Sequence, residues 1–168
     1  MTKENVNELV ITRVLDAPID LVFKTITKAE HLAHWWGTKG LKLVVLQLDL
    51  RVGGVFHYSM ETENGQKMWG KFVYREIDEP NRIVFVNSFA DEQGNSIRAP
   101  FSPVWPLEIL NSCTFSEQNG KTLLTLRGAP INATDEEVKL FESMKTSMQQ
   151  GFSGTFDQLT EYLTKVSN

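Results

Sequence analysis

The change of hydrophobic period along the chain constrains its fold more than any other feature. Over residues 41–129 apolar and polar residues alternate, which is typical of half-buried β-strands. Over residues 138–163 apolar residues recur at steps of three and four, which predicts one long amphipathic helix of about thirty residues. Thr134 and Glu137 have the spacing of a capping box at its start. A sheet with one apolar face needs a cover, and this helix is the only segment large enough to supply it.

Turn residues divide the alternating stretch into six predicted strands. Asn64-Gly65 and Asn119-Gly120 are strong hairpin signals, because both residue types tolerate a positive φ. Strands that tight turns join run antiparallel. Three prolines interrupt the alternation, and we predict a long ordered loop there, over residues 96–109. The predicted strands cover residues 41–51, 54–63, 66–78, 81–91, 107–117 and 121–129.

The N-terminal segment predicts one further strand and two short helices. Residues 8–16 alternate and are rich in β-branched side chains, whereas Pro18 stands at a plausible first helical position. Thr27 and Glu30 also have capping-box spacing, which predicts a second short helix that ends before Gly37. Together these elements predict a single α+β domain over residues 1–168, with about seven antiparallel strands wrapped around the C-terminal helix.

Composition argues against several classes of protein. The chain has 168 residues, a net charge of −4 and no basic run, so we expect no nucleic-acid partner. No apolar stretch approaches the roughly 20 residues of a membrane span, and the N-terminus lacks the apolar segment of a signal peptide. Cys113 is the one cysteine, which excludes an internal disulfide and favours a reducing compartment. We therefore predict a cytoplasmic protein without cofactors.

The order of these elements, together with several motifs, resembles a known family. The motifs are "APIDLVFKTIT", "EHLAHWWG", "LDLRVGGVFHYSM", "GKFVYREIDEPNRIVFVNSF" and "FESMKTSMQQGFSGTFDQLTEYL". They resemble bacterial proteins similar to the C-terminal domain of the heat-shock-protein ATPase activator, within the START-like (SRPBCC) helix-grip superfamily. The resemblance implies a curved sheet gripping the long helix around a cavity, and a link to the stress response. Phe152 is a departure, because relatives more often carry tryptophan there.

Trp35 and Trp36 are adjacent on a predicted helix, so their rings point about 100° apart. One ring can therefore enter the interior while the other lies near the mouth of a cavity. Either the pair pins the short helices to the end of the sheet, or one ring forms a wall of a ligand cavity.

Polar residues in register with apolar neighbours are a second indication of a cavity. Asn87 and Asn111 each either satisfy a neighbouring strand or meet a polar group of a ligand. Arg127 is either a solvated edge residue or a cation inside the cavity. Gly151 and Gly154, inside the long helix, indicate close helix–sheet contact, open space beside the sheet, or a helix bend.

Aromatic, apolar and amide residues on the strands and the long helix are the candidates for binding a ligand. They are Trp35, Trp36, Phe56, Tyr58, Trp69, Phe85, Asn87, Phe89, Trp105, Ile109, Asn111, Met144, Met148 and Phe152.

Metal and catalytic chemistry have little support in the sequence. His31 and His34 are three apart, but zinc needs three or four ligands and the third histidine, His57, lies on a predicted strand. We predict no metal site and no catalytic residue. Cys113 alternates within a strand and is predicted to be a buried thiol.

The leading functional hypothesis is non-enzymatic binding of a small hydrophobic or amphipathic molecule between sheet and helix. The first alternative, a protein-interaction module with a chaperone or other protein as partner, follows from the family resemblance. Because the full activators carry an additional N-terminal domain that this sequence lacks, we expect no direct chaperone stimulation. The second alternative, a polyketide cyclase- or dehydrase-like enzyme, predicts a titratable pair drawn from His57, Tyr58, Glu108 or Arg127. We expect a monomer or a homodimer.

Overall fold

A computed structural model describes residues 8–37 and 40–166 and contains a curved, unclosed antiparallel sheet with a long C-terminal helix. The sheet confirms the predicted α+β helix-grip fold, with eight strands in the described residues. The strands are β1 (Leu9–Leu15), β2 (Lys42–Leu48), β3 (Val55–Glu61), β4 (Lys67–Asp78), β5 (Arg82–Ala90), β6 (Ser96–Ile97), β7 (Glu108–Gln118) and β8 (Lys121–Ile131). The helices are α1 (Ile19–Thr27), α2 (Ala29–Trp35), α3 (Asp135–Ser143) and α4 (Lys145–Val166).

The strands follow the order β1-β8-β7-β5-β4-β3-β2, and β6 pairs with the end of β5. Phe89 and Ala90, at the end of β5, pair with Ile97 and Ser96. The predicted loop at residues 96–109 therefore begins with the two-residue strand β6. β1 returns to pair with β8, so the first and last strands lie side by side at one edge and β2 forms the other edge.

Helix α4 packs along the inner face of the sheet, beside β1. The Arg13 guanidinium on β1 donates to the Asp157 carboxylate at 2.8 Å and to the Ser153 carbonyl oxygen at 3.1 Å. Phe156, Leu159 and Leu163 of α4 are buried in the main core. The helix thereby covers the apolar face of the sheet, as the hydrophobic pattern predicts.

The predicted long C-terminal helix is present as α4, but the prediction that one uninterrupted helix spans residues 138–163 is wrong, because a turn at Met144 separates α3 from α4. That residue has φ −97° and ψ 3°, and its N–H bonds back to the preceding helical turn, which ends α3. Phe141 of α3 packs with Trp105 in one cluster of buried core residues. Phe156 of α4 packs with Trp35 in the other cluster, which is the main core. An uninterrupted helical stripe contains no signal for that change of direction.

One of the two predicted capping boxes is confirmed and the other is wrong. The Thr134 hydroxyl accepts from the Glu137 N–H at 3.1 Å, and the Glu137 carboxylate accepts from the Thr134 N–H at 2.8 Å. The Thr27 hydroxyl instead donates to the Phe23 carbonyl at 2.7 Å, and Lys28 stands at the N-cap of α2. Thr27 belongs to the last turn of α1, where its buried hydroxyl finds an acceptor within its own helix.

The chain turns sharply after α2, which ends at Trp35. Gly37 adopts φ +101°, a conformation that side chains disfavour, so glycine is required there. No helix of the described residues is long and apolar enough to cross a membrane.

Candidate functional site

A small enclosed cavity lies between the sheet and the helices, with a volume of about 30 Å³. That volume is roughly the share of one water molecule in the liquid. Its wall is apolar apart from two strand amides and one thiol. The lining residues are Ile26, Leu32, Trp35, Trp36, Phe72, Ile83, Phe85, Asn87, Asn111, Cys113, Leu124, Leu126, Phe152 and Phe156.

A larger pocket lies beside this inner cavity and is open to the surface. Its volume is about 310 Å³, and we call it the outer pocket. It lies between α4, the turn after α2, and strands β3 and β5. The lining residues are Trp36, Gly37, Tyr58, Met60, Phe89, Met148, Gly151, Phe152 and Thr155.

Trp36 and Phe152 line both spaces and therefore form the partition between them. Their ring centroids are 6.3 Å apart. Trp36 also packs edge-to-face on Phe72, with centroids 5.3 Å apart, and on Tyr58 at 6.4 Å. These ring contacts hold the indole between β3, β4 and α4.

The two adjacent tryptophans differ in how their indole nitrogens are used. Trp35 is 2% exposed, and its Nε1–H donates to the Thr25 carbonyl at 2.8 Å, which ties α2 to α1. The Trp36 Nε1 atom is also buried and has no partner at standard hydrogen-bond geometry, although the Trp36 side chain lies near enough to the Tyr58 hydroxyl to oppose the rise of its pKa. Trp35 thus holds the two short helices together, and both rings line the inner cavity, whereas the role of either ring as a wall of a ligand site stays a prediction.

The two strand amides border the cavity and also bond to the sheet. Asn87 Nδ2 donates to the Lys71 carbonyl at 3.2 Å, and Asn111 Nδ2 donates to the Ile109 carbonyl at 3.4 Å. Asn111 lies so close to Gly128 that a Cβ there would stand 2.6 Å from its Oδ1 atom. Each amide is thus partly satisfied by the sheet while it forms a polar spot in an apolar wall.

Among the described residues, two titratable side chains line these spaces, and both favour their neutral forms. Burial raises the pKa of the Cys113 thiol to about 12. Burial also raises the pKa of Tyr58, although the nearby Trp36 and Asn87 side chains oppose that rise. Neither group therefore carries charge near neutral pH.

The glycines of α4 mark open space. A Cβ built on Gly151 or Gly154 would meet no atom within 4 Å. The interpretation of these glycines as sites of close helix–sheet contact is therefore wrong. Gly151 lines the outer pocket and leaves room in it.

Nine of the predicted ligand-binding residues line one or both of the two spaces. They are Trp35, Trp36, Tyr58, Phe85, Asn87, Phe89, Asn111, Met148 and Phe152.

Five predicted residues line neither space. Phe56 is buried in the main core against Phe72. Trp69 lies on the outer face of β4, because the alternating residues of that strand, Phe72 among them, face inward. Trp105, Ile109 and Met144 belong to the second core cluster.

Sequence reasoning missed several lining residues, although most carry a periodic signal. Cys113 alternates with Asn111 on β7, and Phe156 continues the stripe of Phe152 on α4. The other missed residues are Ile26, Leu32, Phe72, Ile83, Leu124 and Leu126 for the inner cavity, and Gly37, Met60, Gly151 and Thr155 for the outer pocket.

The histidines of α2 pack on Tyr162 of α4. His31 Nδ1 lies 2.6 Å from the Tyr162 hydroxyl, and the His34 ring stacks on the Tyr162 ring with centroids 5.2 Å apart. Among the described residues, no group of three or more metal-ligating side chains comes together. The two histidines thus connect α2 to α4 through Tyr162.

The residues named for an enzyme do not gather at the cavity. His57 Nε2 lies 3.0 Å from the Asp91 carbonyl oxygen. Arg127 forms an ion pair with Glu8 at 2.8 Å and is half-exposed, so the reading of Arg127 as a cavity cation is wrong. Of the four candidates, only Tyr58 lines either space, and Glu108 does not.

Comparison with known proteins places this geometry in a family. The family model "Activator of Hsp90 ATPase homolog 1-like protein" matches residues 16–164. Among curated proteins no sequence matches the chain.

Solved structures show the same fold. A protein from Mycobacterium smegmatis is 27% identical with a TM-score of 0.77, and the match covers 95% of this chain and 91% of that chain. A protein from Arthrobacter aurescens is 21% identical with a TM-score of 0.79, over 99% and 92% of the two chains. The AHSA1 protein from Silicibacter pomeroyi is 18% identical with a TM-score of 0.69, over 94% and 97%.

Proposed function

This chain belongs to the Activator of Hsp90 ATPase homolog 1-like family, and from that premise we propose that it binds a small hydrophobic or amphipathic molecule between the sheet and α4. The family and the helix-grip fold support a general ligand-binding or activator-like module. The proposal adds the place of binding and the kind of molecule, and it assigns no chemical conversion.

The observation that carries the proposal is the outer pocket and its apolar wall. Its volume of about 310 Å³ lies at the lower end of the range for small-molecule sites. Met60, Phe89 and Met148 supply adaptable apolar contact. The inner cavity, at about 30 Å³, is too small for more than a terminal group. The body of the ligand therefore occupies the outer pocket, and rotation of Trp36 or Phe152 admits its end into the interior.

The titratable groups of the site support binding without catalysis. General acid–base catalysis needs a group whose pKa lies near the working pH. Cys113 and Tyr58 are the titratable side chains among the lining residues, and burial raises the pKa of both. A thiol with a pKa of about 12 is a poor nucleophile at neutral pH.

Native mass spectrometry of the purified protein, followed by extraction, tests the proposal directly. We expect a bound molecule at one equivalent, or saturable binding of the neutral probe N-phenyl-1-naphthylamine to the emptied protein. An empty protein that also fails to bind this probe would contradict the proposal.

A second candidate function is contact with a chaperone or another protein, and one surface favours it. Val14 on β1 and Leu123 on β8 are register partners on the outer face of the sheet, and they are 60% and 39% exposed. Val10 is exposed on the same face of β1. Exposed apolar side chains that adjoin one another often mark protein contacts.

Retention of purified Hsp90 on the immobilised protein tests this candidate. Val14→Asp should abolish retention if the surface is used, whereas Thr12→Asp, a change on the same face of the same strand, should weaken it less. If the unaltered protein retains no Hsp90, this candidate is discarded.

A further inference from the structure

We propose that the ligand of the outer pocket is an amphiphile with a carboxylate end, and that this end lies in an adjoining pocket beside Lys67. The inference rests on the proposed function and names the class of molecule that would fill that site.

The first observation is the adjoining pocket, which we call the rim pocket. It has a volume of about 440 Å³ and lies between the residue before β2, the hairpin that joins β3 to β4, and the segment after β6. Its apolar lining residues are Leu41, Met60, Met68 and Pro100. Met60 also lines the outer pocket, so the two pockets adjoin at this side chain.

The Met60 side chain is the boundary that a ligand would have to pass. It lies against the turn after α2, because a Cβ built on Gly37 would stand 3.1 Å from the Met60 Sδ atom. Methionine has three rotatable side-chain bonds and adapts its shape readily. A flexible chain bound in the outer pocket can therefore continue past Met60 into the rim pocket.

The second observation is the set of hydrogen-bond donors on the polar side of the rim pocket. Thr62, Gln66 and Lys67, from the hairpin between β3 and β4, line this side. The Thr62 Oγ1 atom accepts from the Gln66 backbone N–H at 3.1 Å, so the hydroxyl hydrogen is left for another acceptor. The Gln66 amide and the Lys67 ammonium add further N–H donors. A carboxylate, which only accepts and carries the opposite charge to lysine, matches this set.

The third observation is the state of Lys67. Its side chain is exposed and, within the described part of the chain, forms no ion pair, although Glu61 is its register partner. Asp91 and Glu92 lie with Lys67 around a neighbouring surface pocket. The Asp91 carboxylate is already held by its own loop, because it accepts from the Asn95 backbone and side-chain N–H groups at 2.8 and 3.0 Å. Of the described residues that line the rim pocket, none is acidic, so the Lys67 ammonium is available to an anionic group there.

Together these observations describe a chain-like molecule with one charged end. Its apolar chain fills the outer pocket, and its carboxylate lies in the rim pocket among the donors of the hairpin. Lys67 is then a specificity-determining residue that favours a carboxylate over an alcohol of the same chain length.

Competition of octanoate and of 1-octanol against N-phenyl-1-naphthylamine on the full chain tests this inference. The two competitors have alkyl chains of the same length, and near neutral pH only octanoate is charged. The affinity ratio of octanoate to octanol is measured in the unaltered protein, in Lys67→Gln and in Lys42→Gln. Lys42 is the matched control, because it is also a register partner of Glu61 but does not line the rim pocket.

We expect Lys67→Gln to lower the ratio by roughly two- to fivefold at low ionic strength, the usual value of an exposed ion pair. Added salt should shrink this effect, because it screens exposed charges. Lys42→Gln removes the same charge from the chain and should leave the ratio close to that of the unaltered protein.

A second measurement locates the two ends of octanoate by the methyl signals of ¹³C-labelled methionine. Met148 lines the outer pocket and not the rim pocket, whereas Met68 lines the rim pocket and not the outer pocket. Octanoate should shift both signals, which Met148→Leu and Met68→Leu assign.

An unchanged ratio in Lys67→Gln, an equal loss in both lysine variants, or a shift of the Met148 signal without one of Met68 would overturn the inference. Saturable binding of N-phenyl-1-naphthylamine in the same samples would then leave the proposed function standing. Absence of that binding would remove both.

Discussion

The rings of Trp36 and Phe152 lie 6.3 Å apart, centroid to centroid, and separate a cavity of about 30 Å³ from a pocket of about 310 Å³. One ring follows the short helix α2 and the other comes from the long helix α4. Their separation therefore depends on how the two helices meet. On the proposed function, this partition would determine how deeply a molecule in the outer pocket enters.

Removing the Phe152 ring should expose Cys113 to solvent reagents. Cys113 lines the inner cavity, and its thiol has a pKa raised to about 12, so iodoacetamide should label the folded protein slowly at pH 8. Phe152→Ala should increase the labelling rate by roughly tenfold or more, because it opens the cavity to the outer pocket. Mass spectrometry of timed samples measures the rate.

Phe101→Ala is the control for that experiment, because Phe101 is 59% exposed and lines neither space. It should leave the labelling rate close to that of the unaltered protein. An equal rate increase in both variants would mean that labelling follows general destabilisation and not the opening of the partition.

Filling the outer pocket from α4 should block binding and stabilise the helix. A Cβ at Gly151 meets no atom within 4 Å, so Gly151→Leu is accommodated in the space that a ligand would use. Replacing glycine within a helix should raise the free energy of unfolding by roughly 0.5–1 kcal/mol. Titration with N-phenyl-1-naphthylamine should show binding weakened by at least about tenfold.

Gly154→Leu is the matched variant on the same helix. A Cβ there also meets open space, but Gly154 does not line the outer pocket. Urea unfolding should show a similar gain in stability, with probe binding retained. Loss of binding in both variants would place the probe elsewhere on α4.

The two tryptophans should respond differently to the same substitution. Trp35→Phe removes the donor to Thr25 O and leaves that carbonyl without this partner, which should cost about 1–3 kcal/mol beyond the lost ring area. Trp36→Phe removes a donor that has no partner at standard geometry and leaves no backbone carbonyl unpaired, so the corresponding cost is smaller. Urea unfolding of the ligand-free proteins should show the first variant to be less stable by at least about 1 kcal/mol. Equal losses of unfolding free energy in the two variants would mean that the area of the buried ring, and not the hydrogen bond, determines the cost of each substitution.

Acid should selectively weaken the attachment of α3. The folded-state pKa of Glu137 is lowered, first by the Thr134 backbone N–H and then by Arg98. A lowered pKa stabilises the fold above the unfolded pKa of about 4.3, and this contribution is lost as the pH falls through the lower folded value. Glu137→Gln should therefore lower Tm at pH 7 by roughly 2–4 °C, and the difference should shrink towards pH 3.

Glu136→Gln provides the control, because Glu136 is exposed one residue earlier in the same helix. Its Tm should stay near that of the unaltered protein across the same range of pH. A difference between Glu137→Gln and the unaltered protein that persists undiminished at pH 3 would show that the charge of Glu137 is not its cause.

The sequence predicts much of the fold because its signals are local and periodic. The alternation along β4, β7 and β8 reports burial on one face, and the Thr134–Glu137 pair reports the start of α3. The break at Met144 carries no such signal. It separates Phe141, which packs on Trp105, from Phe156, which packs on Trp35, and these partners lie far from the helices along the chain.

The candidate site is only partly visible in the sequence. Alternation predicts that Phe85 and Asn87 share a face of β5, and they do. It does not tell which face of β4 points inward, so the outward position of Trp69 is not visible in the sequence. The Thr27–Glu30 spacing shows the same limit, because the Thr27 hydroxyl donates to the Phe23 carbonyl within α1 and does not accept from an N–H of α2. By itself, the sequence determined the α+β class, the antiparallel direction of successive strands and the need for a helical cover. The tertiary structure alone decided the order of the strands in the sheet and the meeting of Trp36 with Phe152, because both depend on contacts between residues far apart along the chain.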